Sequence, residues 1–204
     1  NLMTIDVGGA TTDIHSISIP SDEYKIFQEG EPLSKRTVEG DLGVFINHEN
    51  VLNLFENSDV FHKIGIDKSN IDDILKDYSY IPKNLIQKRF VYELTKKCTH
   101  VALDRHVGDI KKIYTSSGQK IIPEGKDLSQ IKHIVLTGGA LINLENTEQI
   151  ISEYIKRNPT KLLPRDTVEI IIDNDYIMAS VGVLSLKYPE IAYKLLRKSF
   201  RIEG

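Results

Sequence analysis

Four side chains able to meet a phosphate or a cation crowd one short stretch, TIDVGGATTDIHSISI (Thr4–Ile19). Asp6 leads into Gly8-Gly9-Ala10, and Thr11, Thr12 and Asp13 follow. Glycines in a hairpin turn are expected to supply positive φ and to let a ligand approach the backbone. Successive N–H groups turned to one side of such a turn make an anion nest, to which Thr11 and Thr12 add hydroxyl donors. Asp6 and Asp13 would repel a phosphate by themselves. They suit it when Mg²⁺ lies between, held directly or through water. A surface hairpin merely decorated by Asp and Thr would account for a bare Gly-Gly turn. It does not account for D-x-G-x-x-T-x-D after an apolar strand. The stretch is neither a Walker loop nor a Rossmann fingerprint, because its glycines open a second strand rather than a helix.

The elements that must position this turn read as follows. Leu2–Val7 and Ile14–Ile19 are two strands of a hairpin, with further strands at Tyr24–Phe27 and Lys35–Val38. An apolar-periodic segment, Val44–Phe55, predicts a helix, and Ile71–Tyr78 a shorter one. Apolar residues three and four apart from Leu85 to Tyr114 predict one or two helices, then a turn-rich stretch with a short strand at Lys120–Ile122. Ile131–Leu136 is an apolar strand ended by Thr137-Gly138-Gly139, and Asn146–Lys156 a helix. Val168–Ile172 is a strand whose Asp173-Asn174-Asp175 could cap a helix over Tyr176–Leu186, and Pro189 begins a last helix to Ser199. The class is α/β, a mixed sheet flanked by helices.

Composition narrows the function. At 204 residues, 40% hydrophobic and 27% charged, the chain can bury roughly 70% of its unfolded surface. A net charge of −3 argues against nucleic acid as a partner. One cysteine, Cys98, allows no internal disulfide and points to a reducing cytoplasm. No apolar run approaches the roughly 18 residues of a membrane helix, so no membrane partner is expected. The six histidines are scattered without metal-ligand spacing, and no Ser/His/Asp or Cys/His set suggests a hydrolase.

DVGGATTD resembles the second-lobe phosphate hairpin of the actin-like ATPase superfamily, in its Hsp70 branch. IKHIVLTGGALINL (Ile131–Leu144) resembles that superfamily's adenosine motif, and Asp175–Gly182 the helix that ends its second lobe. Within the superfamily, DVGGATTDIHSI, RTVEGDLGV, ALDRHVG, LTGGALINL and LLPRDTVEIIIDNDYIMASVGVLSLKYPEIA resemble the accessory protein of glutamate (methylaspartate) mutase, the MutL or GlmL type. The resemblance implies an actin-like, ribonuclease H-like lobe. It implies residues 1–40 as phosphate hairpin and following strands, 41–130 as a mainly helical insertion-like part, and 131–204 as adenosine motif and C-terminal elements. It implies ATP/ADP and Mg²⁺ as cofactors. Asp6 and Thr11 would be catalytic, with Asp6 placing the attacking water. Gly8, Gly9, Ala10, Thr11, Thr12, Asp13, Gly138, Gly139 and Ala140 would bind nucleotide, and Asp6 and Asp13 would hold the ion, through water.

The function implied is that of a chaperone that uses ATP to exchange damaged cofactor in an adenosylcobalamin-dependent mutase. The expected partners are that mutase and the protein's own N-terminal lobe, since no first-lobe hairpin precedes Asn1. Such a lobe alone is expected to hydrolyse ATP poorly. The alternatives are an actin-like filament or scaffold ATPase, or a lobe of a small-molecule kinase. Within the helices, Arg105 and His106 read as a solvated or salt-bridged face, or Arg105 as a residue that lies near the nucleotide or signals to the client. Asp41 reads as a helix cap or a support for the hairpin, and Lys96 and Lys97 fall where they could approach adenosine.

Overall fold

The computed structural model describes residues 1–55, 59–116, 118–164 and 168–202. Strand β1 (Leu2–Val7) turns back into β2 (Thr12–Ile17), which pairs with β3 (Ser34–Glu39), and all three run antiparallel to their sequence neighbours. Short helices α1 (His48–Asn53), α2 (Asp59–Lys63) and α3 (Lys68–Lys76) lead to the long helix α4 (Leu85–His106). A separate hairpin follows, β4 (Asp109–Thr115) with β5 (Gly118–Glu124), then β6 (His133–Thr137), α5 (Gly139–Asn143) and α6 (Thr147–Arg157). The chain ends with β7 (Glu169–Ile172), α7 (Met178–Ser185) and α8 (Pro189–Ser199). The main sheet is mixed, in the order β3-β2-β1-β6-β7, with β6 parallel to both β1 and β7.

The alternation of β1 fixes which way the sheet faces. Met3, Ile5 and Val7 are fully buried, and they share a core with Phe90, Leu94, Cys98 and Ala102, spaced four apart along α4. Asn84 caps α4 by accepting from the Gln87 amide at 2.9 Å, while the Gln87 side chain accepts from the Lys83 amide at 2.7 Å. Leu2, Thr4 and Asp6 therefore lie on the opposite face, the one that α7 and α8 partly cover.

Three segments differ from the sequence reading. Tyr24–Phe27 is not a strand: a 3₁₀ turn, Lys25–Gln28, tucks Gln28 inward, where its amide donates to Gly125 O and accepts from the Asp127 amide. The helix predicted from Val44 begins only at His48, because the amides of Val44, Phe45 and Ile46 are committed to carbonyls of the glycine turn. The helix predicted to Tyr114 ends at His106. Ile110, Ile113 and Tyr114 fit a helical spacing equally well, but Gly108 packs against Gly125, and the chain pairs as β4 with β5.

His106 closes α4 from inside. It is fully buried, with Nε2 2.8 Å from Ser16 Oγ and Nδ1 2.9 Å from Thr37 Oγ1, which ties the helix to β2 and β3. A neutral imidazole satisfies both hydroxyls, one by donating and one by accepting. Burial, then the charges of Lys35 and Lys126, push its pKa down to about 3. Its folded pKa thus lies below the ordinary 6.5, so the fold favours the neutral imidazole over the imidazolium. This contribution is complete above about pH 6.5 and declines by up to about 1.4 kcal/mol per pH unit as pH falls towards 3. Urea unfolding at a series of pH values should show that decline in the parent, and His106→Gln should flatten it.

Candidate functional site: a backbone amide turn beside paired carboxylates

The glycine turn owes its shape to the segment that follows β3. Gly8 O accepts from the Val44 amide, Gly9 O from the amides of Phe45 and Ile46, and Ala10 O from Asn47 Nδ2, at 2.7–3.2 Å. All peptide bonds among the described residues are trans, so the N–H of each peptide points opposite to its carbonyl. The amides of Gly9, Ala10 and Thr11 therefore face away from residues 44–47, and they make no hydrogen bond to the described residues. Three consecutive N–H groups turned one way form an anion nest. Gly8 and Gly9 are not at positive φ, so carbonyl capture, not a left-handed turn, sets this conformation. The glycine that the packing demands is Gly43, where a Cβ would lie 2.3 Å from the Ala10 carbonyl carbon.

The carboxylates stand beside this turn. Asp6 and Asp13 are direct cross-strand partners on the outer face of the hairpin. Like charges in that position repel. Asp13 is relieved in part: Arg36 grips its Oδ1 through Nη2 at 2.7 Å and Nε at 3.2 Å, and the Thr11 hydroxyl donates to Oδ2 at 3.2 Å. Asp6 accepts no hydrogen bond from the described residues. Its pKa is raised by burial first, then by the charges of Asp13 and Asp173, against a smaller opposing effect of Arg36. The arrangement stores unfavourable electrostatics at Asp6 that a cation would relieve.

On the other side of Asp6 is β6. Gly138 stands at φ +88°, and a Cβ there would lie 2.2 Å from Asp6 Oδ1 and 2.6 Å from Val7 O. Its role is to let the end of β6 pass against Asp6, not to face a ring. Thr137, the cross-strand partner of Asp6, donates to Asp173 at 3.1 Å. Asp173 is fully buried and also accepts from Ser199 Oγ and from the amides of Ile177 and Met178 at the start of α7. Asp6, Thr137 and Asp173 thus meet at the carboxyl ends of three parallel strands, where open α/β sheets hold their ligands.

A cleft of about 520 Å³ opens next to the turn, between Gly9, Phe45 and Tyr80 on one wall and Gly139, Ala140 and Asn143 on the other. Gly139 has nothing within 4 Å of where a Cβ would sit, which leaves that wall flat.

Of the expected residues, the structure brings together Asp6, Gly8, Gly9, Ala10, Thr11 and Asp13, with Gly138 behind them and Gly139 and Ala140 along the cleft. Thr12 does not join them. Its side chain is fully buried and its hydroxyl donates to Leu42 O at 2.8 Å, because adjacent strand residues point to opposite faces. Arg105 is occupied structurally, bidentate to Asp41 at 2.8 and 2.9 Å and paired with Glu39. Asp41 is therefore no helix cap; the guanidinium holds its carboxyl below the usual range. Lys96 pairs with Glu153 at 2.6 Å and Lys97 lies over the Phe55 ring, so the α4 lysine that lines the cleft is Lys88. Sequence reasoning also missed Asp173 as the shared anchor and Tyr176, at φ +52°, whose hydroxyl pKa is raised chiefly by the charge of Asp6. The run Asp173-Asn174-Asp175 signalled a helix cap, and the first of the three supplies it.

The carboxylates fit a cation met through water and phosphate oxygens. Among the described residues, no group of three or more His, Cys, Asp or Glu side chains is arranged to ligate a metal directly.

With that geometry in hand, comparison with known proteins places the chain. The family model described as "MutL protein" matches residues 1–200. The chain belongs to the MutL protein family. A curated relative, "Protein MutL" of Clostridium tetanomorphum, is 31% identical over 212 residues, an alignment that takes in 97% of this chain. The same alignment covers 45% of that relative, so the chain spans less than half the length of the MutL protein it matches. No described helix is long and apolar enough to cross a membrane.

Two glycine substitutions should separate packing from ligand access. Gly138→Ala combines a strained φ with collision against Asp6, and should cost about 2 kcal/mol or more, read as a lowered urea midpoint. Gly139→Ala, in the first turn of α5 with open space around it, should be neutral or stabilise by up to about 1 kcal/mol.

Proposed function

We propose that this chain is the nucleotide-facing second lobe of an actin-like ATPase. In the intact protein, that ATPase reactivates an adenosylcobalamin-dependent mutase by exchanging damaged cofactor. The observation that carries the reading is the row of three amides at Gly9–Thr11 that bond to none of the described residues, beside the underpaired Asp6. A helix-free turn of this kind takes phosphate oxygens, and the carboxylates exclude a bare anion in favour of an anion accompanied by a divalent cation.

The family resemblance supports glutamate mutase as the client, and the clostridial relative carries the same family name, MutL. The mixed five-stranded sheet with helices on its faces fits an actin-like lobe. The remaining length of the relative leaves room for a first lobe. Helix α7 fits contact with such a lobe: it is made almost wholly of apolar or small residues, yet of its side chains only Val181 is buried. A helix apolar on every side is ordinarily covered.

Within this reading each residue has a defined task. The amides of Gly9, Ala10 and Thr11 bind the phosphate tail, and the Thr11 hydroxyl and Arg36 hold Asp13 in place. Asp6 orients the water whose oxygen bonds to the terminal phosphorus while the P–O bond to the bridging oxygen breaks. ADP leaves with that oxygen, and the water's proton passes to the released phosphate. Mg²⁺, when bound, supplies neutralising charge between the phosphate oxygens and the carboxylates. The Asp173 anchor ties the strand ends to α7, so closing or opening around nucleotide reaches the helix that would face the first lobe.

The test uses the full-length gene product with MgATP, fresh adenosylcobalamin and inactivated glutamate mutase. Mutase activity should return only with ATP, and Asp6→Ala should lower ATP turnover on the order of 100-fold and abolish recovery. Recovery without ATP, or ATP-dependent pelleting as filaments with no recovery, would overturn the reading. A companion outcome follows from the electrostatics. Asp6→Asn removes a repelled charge, so it should raise the melting temperature of the nucleotide-free protein while abolishing the further rise that MgADP gives the parent.

A further inference from the structure

The wall of the cleft that carries Tyr80 is a short strap held at both ends. At one end Tyr78 is fixed: its hydroxyl donates to Val44 O and its ring meets Phe90 edge-on at 5.7 Å. At the other end Lys83 is fixed, its amide on Gln87 Oε1 and its ammonium 2.6 Å from Asp77. Between them Ser79 to Pro82 span the gap, and the Ser79 hydroxyl closes on Ile81 O at 2.8 Å. Tyr80 and Ile81 are 74% and 78% exposed, although their apolar surface faces a cleft rather than a partner. One face of the Tyr80 ring lies against Phe45, with centroids 3.9 Å apart and planes inclined by 32°.

We propose that Tyr80 is the residue that recognises the nucleoside end of the ligand, by stacking on the base of a nucleoside di- or triphosphate. This rests on the phosphate reading of the amide turn given above. Gly9 links the two regions: it belongs to the amide turn, and a Cβ on it would lie 3.7 Å from the Tyr80 ring. A ligand that joins a phosphate tail to a flat apolar group by a short linker spans both, and a nucleotide has that form. The opposite wall suits a ring as well, since Gly139 offers bare backbone. The Asn143 side chain lines the cleft too; its Nδ2 donates to Gly139 O at 2.8 Å, and its amide oxygen has the chemistry to accept from an exocyclic amino group. Lys88 lines the same cleft and brings a cation to it, a charge that suits an anionic ligand. The volume of about 520 Å³ lies within the range of small-molecule sites. A pinned strap presents the aromatic ring at little entropic cost on binding, and the exposure of Tyr80 is what a base would remove.

The experiment compares two probes on the full-length protein, MgATP and magnesium tripolyphosphate, by calorimetric titration. The variants are Tyr80→Phe and Tyr80→Ala, each checked for an unchanged melting temperature. Base–aromatic stacking predicts that Tyr80→Ala weakens MgATP by about 5- to 100-fold while tripolyphosphate affinity holds, and that Tyr80→Phe stays within about twofold. An MgATP affinity unmoved by Tyr80→Ala would overturn the proposal and leave the phosphate reading intact. Equal losses for both probes would also overturn it, by making Tyr80 a support of the amide turn. If the parent bound neither probe, the phosphate reading itself would fall, and this one with it.

Discussion

The hydrogen bonds that residues 44–47 give to the carbonyls of Gly8, Gly9 and Ala10 decide the character of this protein's site. A short turn between two strands has no intrinsic reason to align its peptide planes. Here four donors from one following segment capture three successive carbonyls, and the matching amides are left facing the opposite way. That segment is held close in turn by Gly43 against Ala10, by Thr12 on Leu42 O, and by the grip of Arg105 on Glu39 and Asp41. The salt bridge belongs to a partly exposed Arg, where ion pairs stabilise little, so its contribution is to geometry more than to stability. Its bidentate form sets the angle at which the segment leaves β3.

The same region is electrostatically unbalanced. Asp6 and Asp13 oppose each other across two strands, and Asp173 is buried nearby with its own charge. The three are treated differently by their surroundings. Asp173 receives two backbone amides and two hydroxyls, Asp13 receives an Arg and a threonine hydroxyl, and Asp6 receives nothing from the described residues. Leaving a half-buried acceptor without donors is costly, so of the three carboxylates Asp6 is the one whose strain a cation would relieve most. The hub at Asp173 gives that charge a mechanical outlet, because the amides it binds are those that begin α7.

Helix α4 is the spine on which these parts are aligned. Its buried face packs beneath β1, its N-terminal turn fixes the strap that bears Tyr80, and its last residues fix β2, β3 and the segment after them through His106 and Arg105. The two ends of one helix, about 33 Å long by its 22 residues, thus position opposite sides of the cleft region. Lys126 reinforces the far edge, its ammonium enclosed by the carbonyls of Ser18, Pro32 and Leu33.

By itself the sequence determined the parts whose physics is local. Period-two alternation made β1 and β2, the apolar run made β6, Pro189 and its following pattern made α8, and the D-x-G-G-x-T-T-D order placed Asp6, Thr11 and Asp13 around one turn. Strand parity even held the clue that Thr11 and Asp13 share a face that Thr12 leaves. Tertiary structure decided what depended on distant partners. Whether Ile110 and Ile113 lay on a helix or a strand was settled by Gly108 meeting Gly125 and by pairing with β5, since three- and four-residue spacing in so short a run fits both. The carbonyls of the glycine turn were aligned by residues more than thirty positions away, and Gly138, at positive φ, leaves no room for a side chain because Asp6 and Val7 of another strand lie against it. Tyr80 carried no motif at all, and the run at Asp173 signalled a helix cap but not an anchor shared by the strand ends. Their roles come from where two anchored ends hold a strap and where three parallel strands stop, and no local pattern encodes either.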